Sequence, residues 1–260
     1  MKGSPNFKDY KKNLTGPCVS LKTPFDKMGN LDYDALFLQI ERGIESRVSA
    51  IVLTYGDSLF SILSEKEIAE LTKKCAQIIQ NRIMLVAATG IWSTSQTTEF
   101  AAFAANAGAD MLMVMPADWE ASGTIESLTN HFSKAAEYIP VMVANNFLMR
   151  RSPDFSLQLI RKLYDEVPQV VALKDDVTGA LIQQICIHTN ERWALIAGGQ
   201  KQNHLNMLTF GVDGYFSLMA TFNPSVSSIY WNAIRSNNLD NAIEIVRDYD
   251  IPLFKYLMSI

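Results

Sequence analysis

Eight short runs of apolar and β-branched residues set the limits on what this chain can fold into. They lie at 18–21, 50–55, 83–89, 111–115, 141–145, 170–174, 193–197 and 215–220. Runs so short, with little polar alternation, read as strands buried on both faces, as in a parallel sheet. Each is followed by a stretch with apolar residues at helical spacing. Leu36, Phe37, Ile40 and Ile44 form one such stripe, Ile68, Leu71 and Cys75 another, and Leu128, Phe132 and Ala135 a third. Strand starts recur every ~20–35 residues, the size of a βα unit. Eight units in ~220 residues predict the α/β class and, within it, a (β/α)8 TIM barrel of ordinary size. A doubly wound open sheet is the competing architecture, but it usually carries a glycine-rich phosphate turn after its first strand. Here that position holds Lys22-Thr23-Pro24-Phe25.

No linker, low-complexity tract or charge block divides the chain. The expected organisation is a barrel over 1–236 and a short C-terminal helical extension over 237–260. Ile251-Pro252 is expected to break the extension, because proline disfavours helix in the residue before it. Composition narrows the partners. With 260 residues, a net charge of −4 and no dense basic patch, nucleic acid is not expected as a ligand. No apolar run approaches the ~18 residues of a membrane span, and the polar start at 1–8 lacks a signal peptide's apolar core. Cys18, Cys75 and Cys186 are far apart and show no CxxC spacing. A reducing cytoplasm is expected, without disulfides or a zinc site. His131, His188 and His204 each stand alone in helix-like sequence, so no metal and no histidine triad is expected; nor is a cofactor.

In a barrel of this kind, chemistry collects where strands end and βα loops begin. Those eight mouths read Thr23; Thr54-Tyr55-Gly56-Asp57; Thr89; Pro116-Ala117-Asp118-Trp119; Asn145-Asn146; Lys174-Asp175-Asp176; Gly198-Gly199-Gln200; and residues 217–221 from Ser217. Lys174 ends the apolar run Val170-Val171-Ala172-Leu173, and strand alternation puts it on one face with Val170 and Ala172. There its charged form is poorly solvated, and a neutral amine can attack a ketone to form a Schiff base. The competing reading is that Lys174 marks where the strand re-enters water. Thr54, Tyr55 and Asn145 can give and take hydrogen bonds nearby. Gly199, beside Gly198, suits either a phosphate turn or a plain tight turn.

Taken together, six stretches in order resemble the dihydrodipicolinate synthase/N-acetylneuraminate lyase family over about 18–224. They are Thr23-Pro24-Phe25 with Gly29 and Asp32; Thr54-Tyr55-Gly56-Asp57 with Leu63-Ser64 and Glu67; and Ala107-Gly108-Ala109-Asp110 with Met115-Pro116. Then come 140–146; Val171-Ala172-Leu173-Lys174-Asp175-Asp176 with Thr178-Gly179; and Gly211-Val212-Asp213-Gly214 with Ser217 and Asn223-Pro224. The resemblance implies a barrel that binds pyruvate or another 2-oxo acid as an imine on Lys174. It also implies that the family's carboxylate-binding turn falls at Thr54 and Tyr55, with backbone N–H groups and hydroxyls sharing the grip. Homodimers or homotetramers are the implied assemblies.

The departures bear on mechanism. The family's strand-5 tyrosine, which passes protons at the imine, falls on Ala144, and its tyrosine pair after strand 4 falls on Ala117-Asp118. Arg150 and Arg151 both lie near the family's substrate-binding arginine. The expected function is therefore a Schiff-base lyase of aldolase or dehydratase type. Lys174, Tyr55 and Thr54 would be catalytic, with Asn145, Gly199, Ser217 and Asp118 joining Thr54 and Tyr55 around the ligand. Tyr55 and Asp118 are the candidates to replace the lost phenol. The alternative is a 2-oxo-acid-binding sensor or scaffold that kept the barrel without turnover.

Overall fold

The computed structural model describes residues 7–118, 121–176 and 179–259. The N-terminal residues 1–6, Trp119 at the fourth mouth, Thr178 of the lysine motif and Ile260 lie outside these. Among the described residues, eight strands close into a parallel barrel: β1 (Gly16–Ser20), β2 (Ala50–Val52), β3 (Met84–Ala88), β4 (Met111–Val114), β5 (Val141–Ala144), β6 (Val170–Asp175), β7 (Ala194–Ala197) and β8 (Gly214–Phe216). Each strand pairs with the next in sequence. β8 pairs back onto β1 with Gly16 opposite Gly214, which closes the ring. That closure needs glycine. A Cβ on Gly214 would lie 2.4 Å from the Gly16 carbonyl oxygen and 2.6 Å from that of Leu14. Every strand residue is buried except Met84 and Lys174, which are partly so. Each fully buried Val, Leu or Ile contributes roughly 1.5–3 kcal/mol relative to exposure, so the continuous apolar runs are what hold the barrel shut.

The surrounding helices begin where side chains can satisfy their free amides. Ser64 with Glu67, Ser93 with Gln96 and Thr124 with Ser127 form capping boxes, and Asp32 and Ser152 cap two more helices. Each cap is worth about 1 kcal/mol. No helix among the described residues is long and apolar enough to cross a membrane.

Two expectations need correction. The run 215–220 is not one strand. β8 stops at Phe216, and Met219–Phe222 makes a helical turn. The Ser217 N–H still donates to the Cys18 carbonyl, but the Leu218 N–H is taken by Gln200 Oε1 at 2.8 Å, which turns the chain off the sheet. The C-terminal segment does not break at Ile251-Pro252 either. Helix Leu239–Ile245 runs through one π turn, Val246–Asp250, into helix Ile251–Leu257. The Ile251 N–H bonds to the Val246 carbonyl, five residues back. A turn widened in this way accommodates the proline ring, which would otherwise clash with the helix behind it.

Behind β7 and β8 lies a buried polar cluster. His204 Nδ1 is 2.8 Å from the Tyr230 hydroxyl, and its ring packs 5.0 Å from that of Tyr215. Burial pushes the His204 imidazole from 6.5 down to about 3. The folded pKa lies below the unfolded one, so the contribution to stability is complete above pH 6.5 and is lost as pH falls toward 3. Stability measured by chemical denaturation should drop through that window by up to about 1.4 kcal/mol per pH unit from this group. His131, also lowered by burial, acts in the same direction. His204→Phe removes one titration and should flatten the slope; an unchanged slope between pH 4 and 6 would rule His204 out as the cause.

Candidate active site

A cavity of about 370 Å³ opens at the carboxyl ends of the strands. Its polar wall is made by Thr54, Tyr55, Asp57, Lys174, Asp176 and Gln200, and its apolar wall by Met113, Met115, Ala144, Phe216, Leu218 and Phe254. The glycines Gly56, Gly198 and Gly199 complete it. Thus Lys174, Thr54, Tyr55 and Gly199 share one cavity.

Lys174 lines the cavity two residues after Ala172 on β6, past the point where the β5–β6 register shifts between Val170 and Ala172. Its side chain is 12% exposed. The amine donates to Asp176 Oδ2 and lies 5.6 Å from the centre of the Phe216 ring. Asp176 follows two residues after Lys174 and returns to the same side of the chain.

Strand alternation removes two expected residues from the site. Ala144 is the register partner of Lys174 and takes the inward position on β5. Asn145 and Asp175, each one residue further on, do not reach the cavity; Asn145 Nδ2 donates to Asp175 Oδ2 instead. Likewise Phe216 lines the cavity, while the Ser217 hydroxyl is spent on Ser227. Asp118 is also absent from the lining. It accepts from the Gly123 N–H at 2.8 Å and from Arg151 at 3.2 Å, fixing the loop after β4. Arg151 also donates to the Gly123 carbonyl and stacks 3.9 Å over Phe155. Neither Arg151 nor the exposed Arg150 lines the cavity.

The turn after β2 is bolted to the end of β1. The Thr54 N–H donates to Ser58 Oγ at 3.0 Å, and Ser58 Oγ donates to the Leu21 carbonyl. Thr54 Oγ1 accepts from the Asp57 N–H at 2.9 Å. The expected carboxylate grip by the Thr54 N–H is therefore already spent on the turn itself. Its hydroxyl, which lines the cavity, also lies 3.5 Å from Ser20 Oγ, and either of the two can donate to the other.

Several residues at the site were not singled out from the sequence. Lys22, outside the cavity lining, forms an ion pair with its lining residue Asp57. Gln200 orients the start of the Met219–Phe222 turn while facing the cavity, and Phe254 brings the C-terminal helix onto the mouth. Alternation from Lys174 would have found Asp176; nothing local announces Phe254. Among the described residues, no three His, Cys, Asp or Glu side chains converge in a way that could hold a metal ion.

Comparison with known proteins agrees with this architecture. An uncharacterized DapA-like lyase of Pyrococcus abyssi is 26% identical over 236 residues, covering 90% of this chain and 79% of that protein. A 4-hydroxy-tetrahydrodipicolinate synthase of Sorangium cellulosum is 28% identical, covering 88% of this chain and 76% of its own. Among solved structures, the dihydrodipicolinate synthase of Aquifex aeolicus superposes with a TM-score of 0.79 at 24% identity, over 94% of this chain and 83% of that one. A prophage protein of E. coli K12, solved in complex with pyruvate and described as belonging to the dihydrodipicolinic acid synthase family, gives 0.77 at 23% identity, over 90% and 79%. The sequence model of the dihydrodipicolinate synthetase family matches residues 13–259, nearly the whole chain, and the protein belongs to that family.

Proposed function

We propose that the protein is a Schiff-base-forming lyase, of aldolase or dehydratase type, that acts on pyruvate or another small 2-oxo acid through Lys174. The observation that carries this is the Lys174 amine, set at the end of an inward strand in a cavity otherwise walled largely by Met113, Met115, Ala144, Phe216 and Phe254. The pyruvate-bound family member from E. coli supports the substrate class. In this reading the amine adds to C2 of the keto acid, water leaves, and the resulting iminium draws electrons from the bond to C3 or beyond. The Thr54 hydroxyl, with the turn at Tyr55 and Gly56, takes the carboxylate. Tyr55 stands on β2's mouth, four strands round the barrel from β6, and its phenol serves the later proton transfer at the leaving group.

The molecule is read as a cytoplasmic homodimer or homotetramer. The family's habits support the assembly, and three free, buried cysteines support the compartment. One observation favours the second reading, a 2-oxo-acid-binding sensor without turnover: Ala144 faces Lys174 where the family carries a phenol. Incubation with pyruvate and borohydride, followed by intact mass and peptide mapping, tests the main proposal. A reduced adduct on the peptide carrying Lys174 is expected; no adduct with pyruvate or a panel of 2-oxo acids would overturn it. An adduct without carbon–carbon or carbon–oxygen bond cleavage would favour the sensor.

A further inference from the structure

We propose that Asp176 is the acid/base that carries protons during imine formation at Lys174, in the place of the phenol missing at Ala144; this rests on the Schiff-base reading above. Four observations converge on it. Asp176 Oδ2 accepts directly from the Lys174 amine, so the carboxylate already touches the reacting nitrogen. The pair lies directly against the Gly198 backbone. A Cβ on Gly198 would lie 1.8 Å from Asp176 Oδ1 and 2.5 Å from Lys174 Cε. Asn203 Nδ2 donates to the Asp176 carbonyl at 2.8 Å and itself lies against Gly199, where a Cβ would come within 2.0 Å. Both glycines after β7 thus lie directly against the pair or its Asn203 support. Finally, the Asp176 side chain is 33% exposed against 12% for Lys174, so it can exchange protons with water while the amine stays sheltered. The cavity's other carboxylate, Asp57, is paired with Lys22 and not with the reacting amine.

The protons balance through this one group. In the proposed sequence the pair begins as ammonium and carboxylate. Asp176 accepts a proton from the ammonium, and the neutral amine bonds to C2 of the keto acid as the carbonyl π bond opens onto oxygen. The carboxylic acid returns that proton to the oxygen, then collects one from the nitrogen, leaving a neutral carbinolamine. It passes this second proton to the hydroxyl, the C2–O bond breaks, and water departs. One ammonium and one ketone have become one iminium and one water, with Asp176 again a carboxylate beside a cation.

The test is the rate of pyruvate adduct formation, followed by borohydride quenching at timed intervals with the full-length protein. Asp176→Asn is near-isosteric and should form the adduct about 10²-fold more slowly, the scale of a lost general acid/base, while reaching the wild-type extent on long incubation. Asp176→Ala should be slowed similarly and accelerated in proportion to added formate, which can enter the space left by the side chain. Adduct formation by Asp176→Asn at the wild-type rate, or a slow Asp176→Ala that formate does not accelerate, overturns the proposal while leaving Lys174 as the imine residue. Failure of the wild-type protein to form any adduct overturns the Schiff-base reading and this one with it.

Discussion

Lys174→Ala is expected to give no reducible adduct with any 2-oxo acid, and turnover should fall to background. Removing a covalent nucleophile acts on the scale of about 10⁶ in kcat, because the remaining groups have no intermediate to serve. The fold should barely notice. Lys174 lies at the rim of the packed core, and its partner Asp176 is one-third exposed, so the carboxylate left behind can be solvated by water entering the cavity. An unpaired carboxylate in that position costs far less than one in the core, and the denaturation midpoint should move by no more than about 1 kcal/mol equivalent. Loss of adduct with an unchanged midpoint separates chemistry from folding. A Lys174→Ala protein that traps keto acid as well as the wild type would move the imine to another lysine and discard the site.

How much of this could be read from residues alone follows from the geometry of strands. A parallel barrel buries both faces of every strand, so its runs are continuous in sequence, and Ala50 to Val52 or Val170 to Leu173 declare themselves. The end of β8 does not. Leu218, Met219 and Ala220 suit a helix as well as a strand, and the decision rests on Gln200, which comes from another mouth. Lys174 could be placed at the cavity because it shares a face with Ala172, and Thr54 and Tyr55 because they lie just past the end of β2. Asn145 and Ser217 failed by a single position: Ala144 and Phe216 take the inward places, and the next residue in each strand turns away. Strict alternation applied to those two strands would have excluded both, and alternation carried one step past Lys174 on β6 would have brought in Asp176. Asp118 was beyond such reasoning, since its partner Arg151 arrives from a different loop. Phe254 was hidden for the same reason, being carried to the mouth by a helix whose proline suggested a break.

That C-terminal helix is held by a contact whose removal should have the largest effect on stability. Lys201, one residue after Gln200, meets Asp250 of the π turn at 2.7 Å, with side chains 0% and 2% exposed. The amine also lies 5.9 Å from the ring of Tyr215 and 5.8 Å from that of Tyr230. Burial pushes the Lys201 pKa down, and the Asp250 carboxylate opposes that shift. Among the described residues Asp250 Oδ2 has no hydrogen-bond partner, so the lysine is what compensates the buried carboxylate. Lys201→Ala leaves that charge in the core and should cost about 3–5 kcal/mol, the usual price of breaking a buried pair from one side. The pair need not be stabilising relative to an apolar one, because both ions were desolvated to form it. Lys201→Met with Asp250→Leu removes both charges at similar volume and should recover most of the loss. Urea denaturation of the two single variants and the double variant measures the cycle. Lys201→Ala within about 1 kcal/mol of wild type would mean that water reaches Asp250 and that the helix is not locked. If it is locked, adduct formation at Lys174 should persist in the double variant, since Phe254, one turn beyond Asp250, would still close the mouth.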